Sequence, residues 1–350
     1  MGSSTLSDVA RRAGVSVRTV SNVVNDAVPV APATRARVQQ ALTELDYRPN
    51  LAARTLRQGR SGLLGLVVPE IDSPYFAELA GLLADEAERR GFTLVVDQTR
   101  GDPDRERRLL TGPSGQLVDG LLLSPWSLSP EEVAARPSPL PLVMLGERYG
   151  DEVDHVGVDS VTAAREATTH LAALGRRRVA AIGLQPGLAN QTAAQRAAGY
   201  QQALEAAGLA LDPRLEVAVR SLHRSDGARG MRTLLDRADP PDAVFCFTDE
   251  LALGALRVAL EQGRRVPDDL ALVGFDDIED GRWATPSLST VSPDKAQLAR
   301  QAVGRLLELL QGSGRPGPGR PTGQDADWDV PTLHRLLVRE SSTGGQLTTR

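Results

Sequence analysis

Apolar positions recur along this 350-residue chain with two different periods, and the change of period divides it. Leu6, Val9, Ala10 and Ala13 stand at helical spacing, so residues 6–13 are expected to form a short amphipathic helix. Thr5, with Asp8 three residues on, is a capping pair at its start. Gly14 breaks the pattern, as a residue just past a helix end often does. Ser16 can cap a second helix, with Val20, Val23 and Val24 on its apolar side. Pro32 suits the first turn of a third, whose apolar face is Val38, Ala41, Leu42 and Leu45, with Tyr47 as a lid. Two short helices joined by a brief Gly-containing turn make a helix-turn-helix. The plainer alternative is a helical hairpin inside some larger domain.

From Leu63 the pattern alternates. Apolar strands are expected over 63–68, 92–97, 119–123 and 141–145, then over 179–182, 215–219, 243–247 and 270–275. Between them lie helical stretches at 75–90, 103–117, 130–136, 160–174, 193–207, 226–237 and 250–262, with another at 294–310. Strand and helix in turn, with near-continuous apolar strands, imply parallel sheets covered on both faces. Two such runs imply two α/β subdomains. Gly312 to Gly323 is a Gly/Pro/Arg-rich loop, Leu333 to Val338 a last strand, and residues 342–350 a disordered tail.

Charge separates the two parts further. Up to residue 60 there are nine arginines against four carboxylates, whereas the whole chain carries a net charge of -5. A basic head on an acidic body points to a polyanion partner for the head alone. No run of 18 apolar residues exists, so no membrane span is expected. The N-terminus has no apolar signal region, which implies a cytoplasmic protein. Cys246, the only cysteine, sits in the apolar run Ala243–Phe247 and reads as a core residue. Gly-rich phosphate loops, Cys/His metal spacings and Gly-x-Ser-x-Gly elbows are all missing, so neither an enzyme nor a metal or other cofactor is expected. His155, His170, His223 and His334 are scattered and read as surface or structural.

In open parallel sheets ligands sit beyond the carboxyl ends of the strands. After the first strand come Asp72, Ser73, Pro74, Tyr75 and Phe76, an aromatic pair able to stack on a sugar or base. Phe76 is otherwise core beneath the first helix. Trp126, after the third strand, is a cleft wall or a loop anchor.

These residues carry a resemblance. Thr5-Leu-x-Asp-Val-Ala, Ala13-Gly-Val-Ser, Thr19-Val-Ser, Val23-Val-Asn25, Leu45-x-Tyr-x-Pro-Asn50 and Ala52-Ala-Arg-x-Leu56 stand in the order and spacing of the LacI/GalR family of bacterial transcription regulators. The resemblance continues to the C-terminus. It implies a helix-turn-helix head (1–47), a hinge helix and linker (48–61), and a periplasmic-binding-protein type 1-like core of two doubly wound subdomains, 62–159 plus 292–327 and 160–291 plus 328–341. By resemblance Val17, Arg18 and Asn22 stand at the positions that read base edges, with Asn22, where relatives more often carry Arg, facing either adenine or phosphate, and Thr5, Ser16, Thr19, Ser21 and Asn25 as further DNA contacts, mostly to phosphate. Asn50, Ala53 and Arg54 belong to a hinge helix that orders only on DNA, and its Leu56 wedges into the minor groove. The expected partners are near-palindromic double-stranded operator DNA, a second copy of the chain (a homodimer, with a tetramer open) and a small-molecule effector.

For the effector the resemblance implies the Tyr75–Phe76 segment together with Asn190, Thr192, Arg196, Asp249 and Asp276. Arg196 belongs to an Arg-x-x-Gly-aromatic motif ending in Gly199-Tyr200. Asp249 is alternatively the N-cap of its helix, and Asp276 a turn residue. Leu222 stands where relatives often carry an aromatic, so one stacking wall is missing, and Trp283 offers itself as a substitute. The implied function is a ligand-responsive repressor sensing a sugar. A purine-type corepressor is the alternative, and a transported-solute binder or an enzyme is the weakest reading.

Overall fold

The computed structural model describes residues 4–25, 28–47, 60–111, 117–136, 140–147, 153–188, 190–312 and 331–343. The expected hinge residues Asn50, Ala53, Arg54 and Leu56 lie outside them. The chain falls into two compact units, Met1–Ser61 and Gly62–Arg350.

In the first unit α1 (Leu6–Ala13), α2 (Val17–Asn25) and α3 (Pro32–Glu44) enclose a small core of Val9, Ala10, Val20, Val23, Val38 and Ala41. Leu42, Leu45 and Tyr47 pack against it half-buried. A capping box closes the start of α1: Thr5 Oγ1 accepts from the Asp8 amide, and the Asp8 carboxylate accepts from the Thr5 amide at 2.9 Å. Gly14 ends the helix at φ +65, a conformation open to it because it has no Cβ.

The second unit holds two sheets. The first contains β1 (Leu63–Val68), β2 (Thr93–Gln98), β3 (Gly120–Leu123), β4 (Leu142–Leu145) and β5 (Asp154–Val156), all parallel, in the order β2-β1-β3-β4-β5. α4 (Pro74–Arg89) and α12 (Lys295–Leu310) cover one face over Leu64, Leu66, Leu122 and Val143. α5 (Pro103–Thr111) and α6 (Pro130–Ala134) cover the other over Val67, Leu121, Leu123 and Met144. This is the N-lobe.

The C-lobe sheet runs β11-β10-β9-β8-β6-β7, from β6 (Val179–Leu184), β7 (Glu216–Ala218), β8 (Ala243–Cys246), β9 (Ala271–Phe275), β10 (Ser289–Pro293) and β11 (His334–Leu337). Its helices are α7 (Ser160–Ala173), α8 (Gln191–Ala206), α9 (Arg224–Leu235), α10 (Asp249–Glu261), and the short α11 (Glu279–Trp283) and α13 (Glu340–Thr343). Gly199 lets α8 approach α7: a Cβ there would stand 2.2 Å from the Val161 carbonyl oxygen.

The structure corrects the sequence reading in four places. β5 and β10 were not expected; β5 is three residues long, and β10 (Ser-Thr-Val-Ser-Pro) is mostly polar yet wholly buried. Because β10 belongs to the C-lobe sheet, residues 292 and 293 lie there rather than in the N-lobe. β11 runs antiparallel to β10, so the C-lobe sheet is mixed at one edge. Ser342 and Thr343 are not tail: they end α13, where buried Ser341 and Ser342 bond Ser289 of β10.

Candidate functional site

The two sheets turn their carboxyl ends toward one cavity of about 270 Å³. The loops after β1, β3, β6 and β8, which flank the strand pairs where the order reverses and where such sheets bind ligands, contribute to the lining, and so do the loops after β4, β7 and β9. The N-lobe brings Asp72, Ser73, Tyr75, Phe76 and Trp126; the C-lobe brings Asn190, Thr192, Arg196, Leu222 and Asp276.

The aromatic alternatives resolve as double roles. Tyr75 and Phe76 meet edge-on, ring centroids 5.2 Å apart, and both also pack on the N-lobe core. Trp126 lines the cavity and is anchored as well: its amide donates to buried Glu106 at 3.0 Å, and its ring lies against Gly101.

Asn190 caps α8, accepting from the Ala193 amide, and donates to Gln185 Oε1 at 2.6 Å. Nearly two turns on, Arg196 is nearly buried. Its guanidinium lies 3.5 Å from the centre of the Phe275 ring, donates to the Phe247 carbonyl, and faces Asp276 Oδ1 at 3.6 Å. A desolvated cation over a ring contributes about 2 kcal/mol. Arg196 Nε is buried without a hydrogen-bond partner.

Asp276 and Asp277 adjoin but differ. Asp277 is fastened by Arg339 at 2.6 Å and Ser292 at 2.9 Å; burial works against its charge, and these bonds hold its carboxyl below the usual range. Asp276 faces the cavity from a strained backbone, φ +113, and burial raises its pKa to about 6 despite the nearby charges of Arg196 and Lys295. Strain of this kind collects at functional positions.

Three expectations change. Asp249 does not line the cavity and does not cap α10. Thr248 supplies the cap, accepting from the Leu251 amide, while Asp249 is fully buried and accepts from Thr290 Oγ1 at 2.6 Å and the Ile278 amide at 3.0 Å. Burial drives its pKa up, and its bonds to Thr290 and Ile278 make it a structural clamp. Trp283 cannot replace the wall missing at Leu222, because it lies outside the cleft and is 76% exposed. His223 is not incidental surface: it lines the cavity and reaches Glu70 of the other lobe.

Glu147, Glu70 and Glu250 line the cavity too and were missed. Glu147 follows β4 as the other candidates follow their strands, so its position was the available signal. It bonds Ser160 and Thr192 of the C-lobe, and burial raises its pKa.

In the head, Val17 and Arg18 are exposed at the start of α2, and Asn22 lies one turn on, half-buried. Val17 is 42% exposed, a strongly apolar group facing out beside a cation. Ser16 accepts from the Thr19 amide at 3.1 Å and shares a hydroxyl bond with Thr19, and Thr5 is engaged in the capping box. Their hydroxyls therefore shape the ends of the two helices.

Fold and cleft together define a regulator: a helix-turn-helix unit joined to a two-lobed, periplasmic-binding-protein-like core. Residues 5–50 match the bacterial regulatory proteins of the lacI family, and residues 168–341 the periplasmic binding protein-like domain. The chain is 34% identical over 309 residues to the HTH-type transcriptional repressor PurR of Haemophilus influenzae (strain PittEE), covering 87% of this chain and 91% of the relative. A solved complex of the transcriptional regulator CelR with cellobiose is 32% identical, with a TM-score of 0.70, covering 97% of this chain and 100% of that one. The lac repressor dimer bound to operator and the anti-inducer ONPF is 28% identical, with a TM-score of 0.83 over 97% and 99%. The protein belongs to the lacI family and is a DNA-binding transcriptional repressor.

Proposed function

We propose that this repressor binds a near-palindromic operator as a homodimer and is controlled by an uncharged sugar held between the lobes. The observation that carries the ligand reading is the Arg196–Asp276 pair, buried yet facing the cavity, on a backbone strained at Asp276. Arg196 offers a fork of donors and Asp276 a pair of acceptors, the complement of vicinal hydroxyls. Tyr75, Phe76 and Trp126 supply apolar faces for the ring, Asn190 and Thr192 polar contacts at its rim, and Asp72 and Ser73 the N-lobe edge. Leu222 offers no aromatic face of its own to the cavity, which favours a sugar over a purine. The cellobiose named in the CelR complex supports a sugar; a purine is the second reading.

In the head, Val17, Arg18 and Asn22 are assigned to base edges, Ser16, Thr19, Ser21, Asn25 and Thr5 to the backbone and to shaping the helix ends, and Asn50, Ala53, Arg54 and Leu56 to the hinge. Dimerisation has a suitable surface on the C-lobe, where exposed Trp283 lies beside Leu253 and Ala228 in a shallow groove rimmed by Arg224, Arg232, Arg257 and Glu261. The cytoplasm is the compartment this function requires; no described helix is long and apolar enough to cross a membrane. Thermal-shift screening of the chain from residue 62 against sugars and purines tests the ligand reading. Stabilisation by a sugar that vanishes in Arg196→Ala supports it; stabilisation by purines alone overturns it.

A further inference from the structure

We propose that Glu70 and His223 form a proton-operated latch across the mouth of the cleft, favouring the closed core when His223 is protonated and releasing it when the proton leaves. The latch goes beyond the sugar reading and requires only that the lobes hinge.

Glu70 lies just past β1 in the N-lobe, and His223 stands at the N-cap position of α9 in the C-lobe. The imidazole makes no capping bond to its own helix. It turns instead to a residue 153 positions away, with His223 Nε2 2.7 Å from Glu70 Oε2. Two other described histidines make bonds that stay within one lobe, His334 with Glu166 and His170 with Ser342. Those contacts cannot change when the lobes part; the His223 contact must.

The surroundings favour the imidazolium. Asp72 faces it from the N-lobe loop, and Asp226 from its own helix, where Arg229 and Ser221 hold that carboxylate. The adjacent Arg224 is turned away to Glu250 and Asp280. Partial burial pulls the imidazole down, but the Glu70 bond and the three carboxylate charges outweigh it and leave the pKa above 6.5. Opening relieves part of the burial but breaks the Glu70 bond and removes the Glu70 and Asp72 charges; because these together outweigh burial in the closed form, the proton is held more tightly there. Closure therefore takes up a proton, and the closed form gains as pH drops through the neutral range, where histidine is the responsive side chain. Glu147, raised by burial and bonded across the lobes to Ser160 and Thr192, biases closure in the same direction.

The test needs no ligand. Cysteines at exposed Arg108 of the N-lobe and exposed Leu188 of the C-lobe carry a donor–acceptor dye pair in the full chain, while buried Cys246 stays unlabelled. Single-molecule energy transfer is followed between pH values of about 5.5 and 8.5. The expected result is a short-distance population that shrinks as pH rises, and a several-fold weaker pH response in both His223→Gln and Glu70→Gln. Thermal melts of the two single variants and the double variant supply a second readout, non-additive in acid and additive in base. Populations in the parent that ignore pH, an unchanged response in His223→Gln, or additivity in acid would each overturn the latch. A pH-dependent closure with no stabilisation by any sugar would instead count against the ligand reading alone.

Discussion

Replacing Asp276 by Asn should make the core more stable at neutral pH while abolishing its ligand response. The carboxyl is buried, 7% exposed, and its pKa is raised from 3.8 to about 6 even with Arg196 at 3.6 Å. A pKa raised on folding contributes stability that is complete below the unfolded value, here 3.8, and is lost as pH rises through about 6. At pH values above about 7 the ionised form therefore costs roughly two pKa units, or about 3 kcal/mol. Asn keeps the shape and an acceptor oxygen without the charge, and it tolerates positive φ better than most residues. The assay is urea denaturation of the chain from residue 62, parent and Asp276→Asn, at several pH values between about 4 and 8. The difference between the two should grow with pH through about 6 and level off near 3 kcal/mol in favour of the variant. A variant less stable than the parent at neutral pH, or a difference that does not change with pH, would refute the burial argument.

Three other outcomes are expected. Thr5→Ala removes the capping box of α1 and should cost the head about 1 kcal/mol, seen as an earlier melt of a fragment ending at residue 61. Gly227→Ala would set a Cβ 2.0 Å from the Leu251 carbonyl, forcing α9 off α10; a loss of several kcal/mol or failure to fold is expected by circular-dichroism melting. Trp283→Asp should convert the proposed homodimer to monomer in sedimentation with little change in the melting of the core, because the indole is exposed.

The alternating α/β core was legible because its main strands are near-continuous apolar runs; β8, Ala-Val-Phe-Cys, is buried at every position. β10 escaped notice because its burial rests on hydroxyls rather than hydrocarbon. Ser289, Thr290 and Ser292 are satisfied by Ser341 and Ser342, Asp249, and Asp277, partners 15 to 53 residues away in the chain. No local hydropathy pattern reports that. Asp249 was misplaced for a related reason: Thr-Asp at a helix start permits either residue to cap, and only the tertiary partners Thr290 and Ile278 draw the carboxylate inward. Arg196 stood out only through the family motif that ends in Gly199-Tyr200, since its residue type and spacing alone read as a surface ion pair; the missing Cβ of Gly199 lets α8 close on α7. His223 was not, since its meaning lies in a contact with the opposite lobe.

The central claim is that the basic head grips DNA and the cleft governs the grip. It is tested most directly by selecting duplexes from a random pool with the full chain, then measuring fluorescence anisotropy on the enriched sequence. The chain from residue 62 and the Arg18→Ala variant serve as comparisons. The expected result is a near-palindromic site whose affinity falls steeply with salt, is absent without the head, weakens by roughly 1–3 kcal/mol in Arg18→Ala, and shifts with the sugar that stabilises the core. Equal binding by the chain from residue 62, or an affinity indifferent to both salt and sugar, would contradict it.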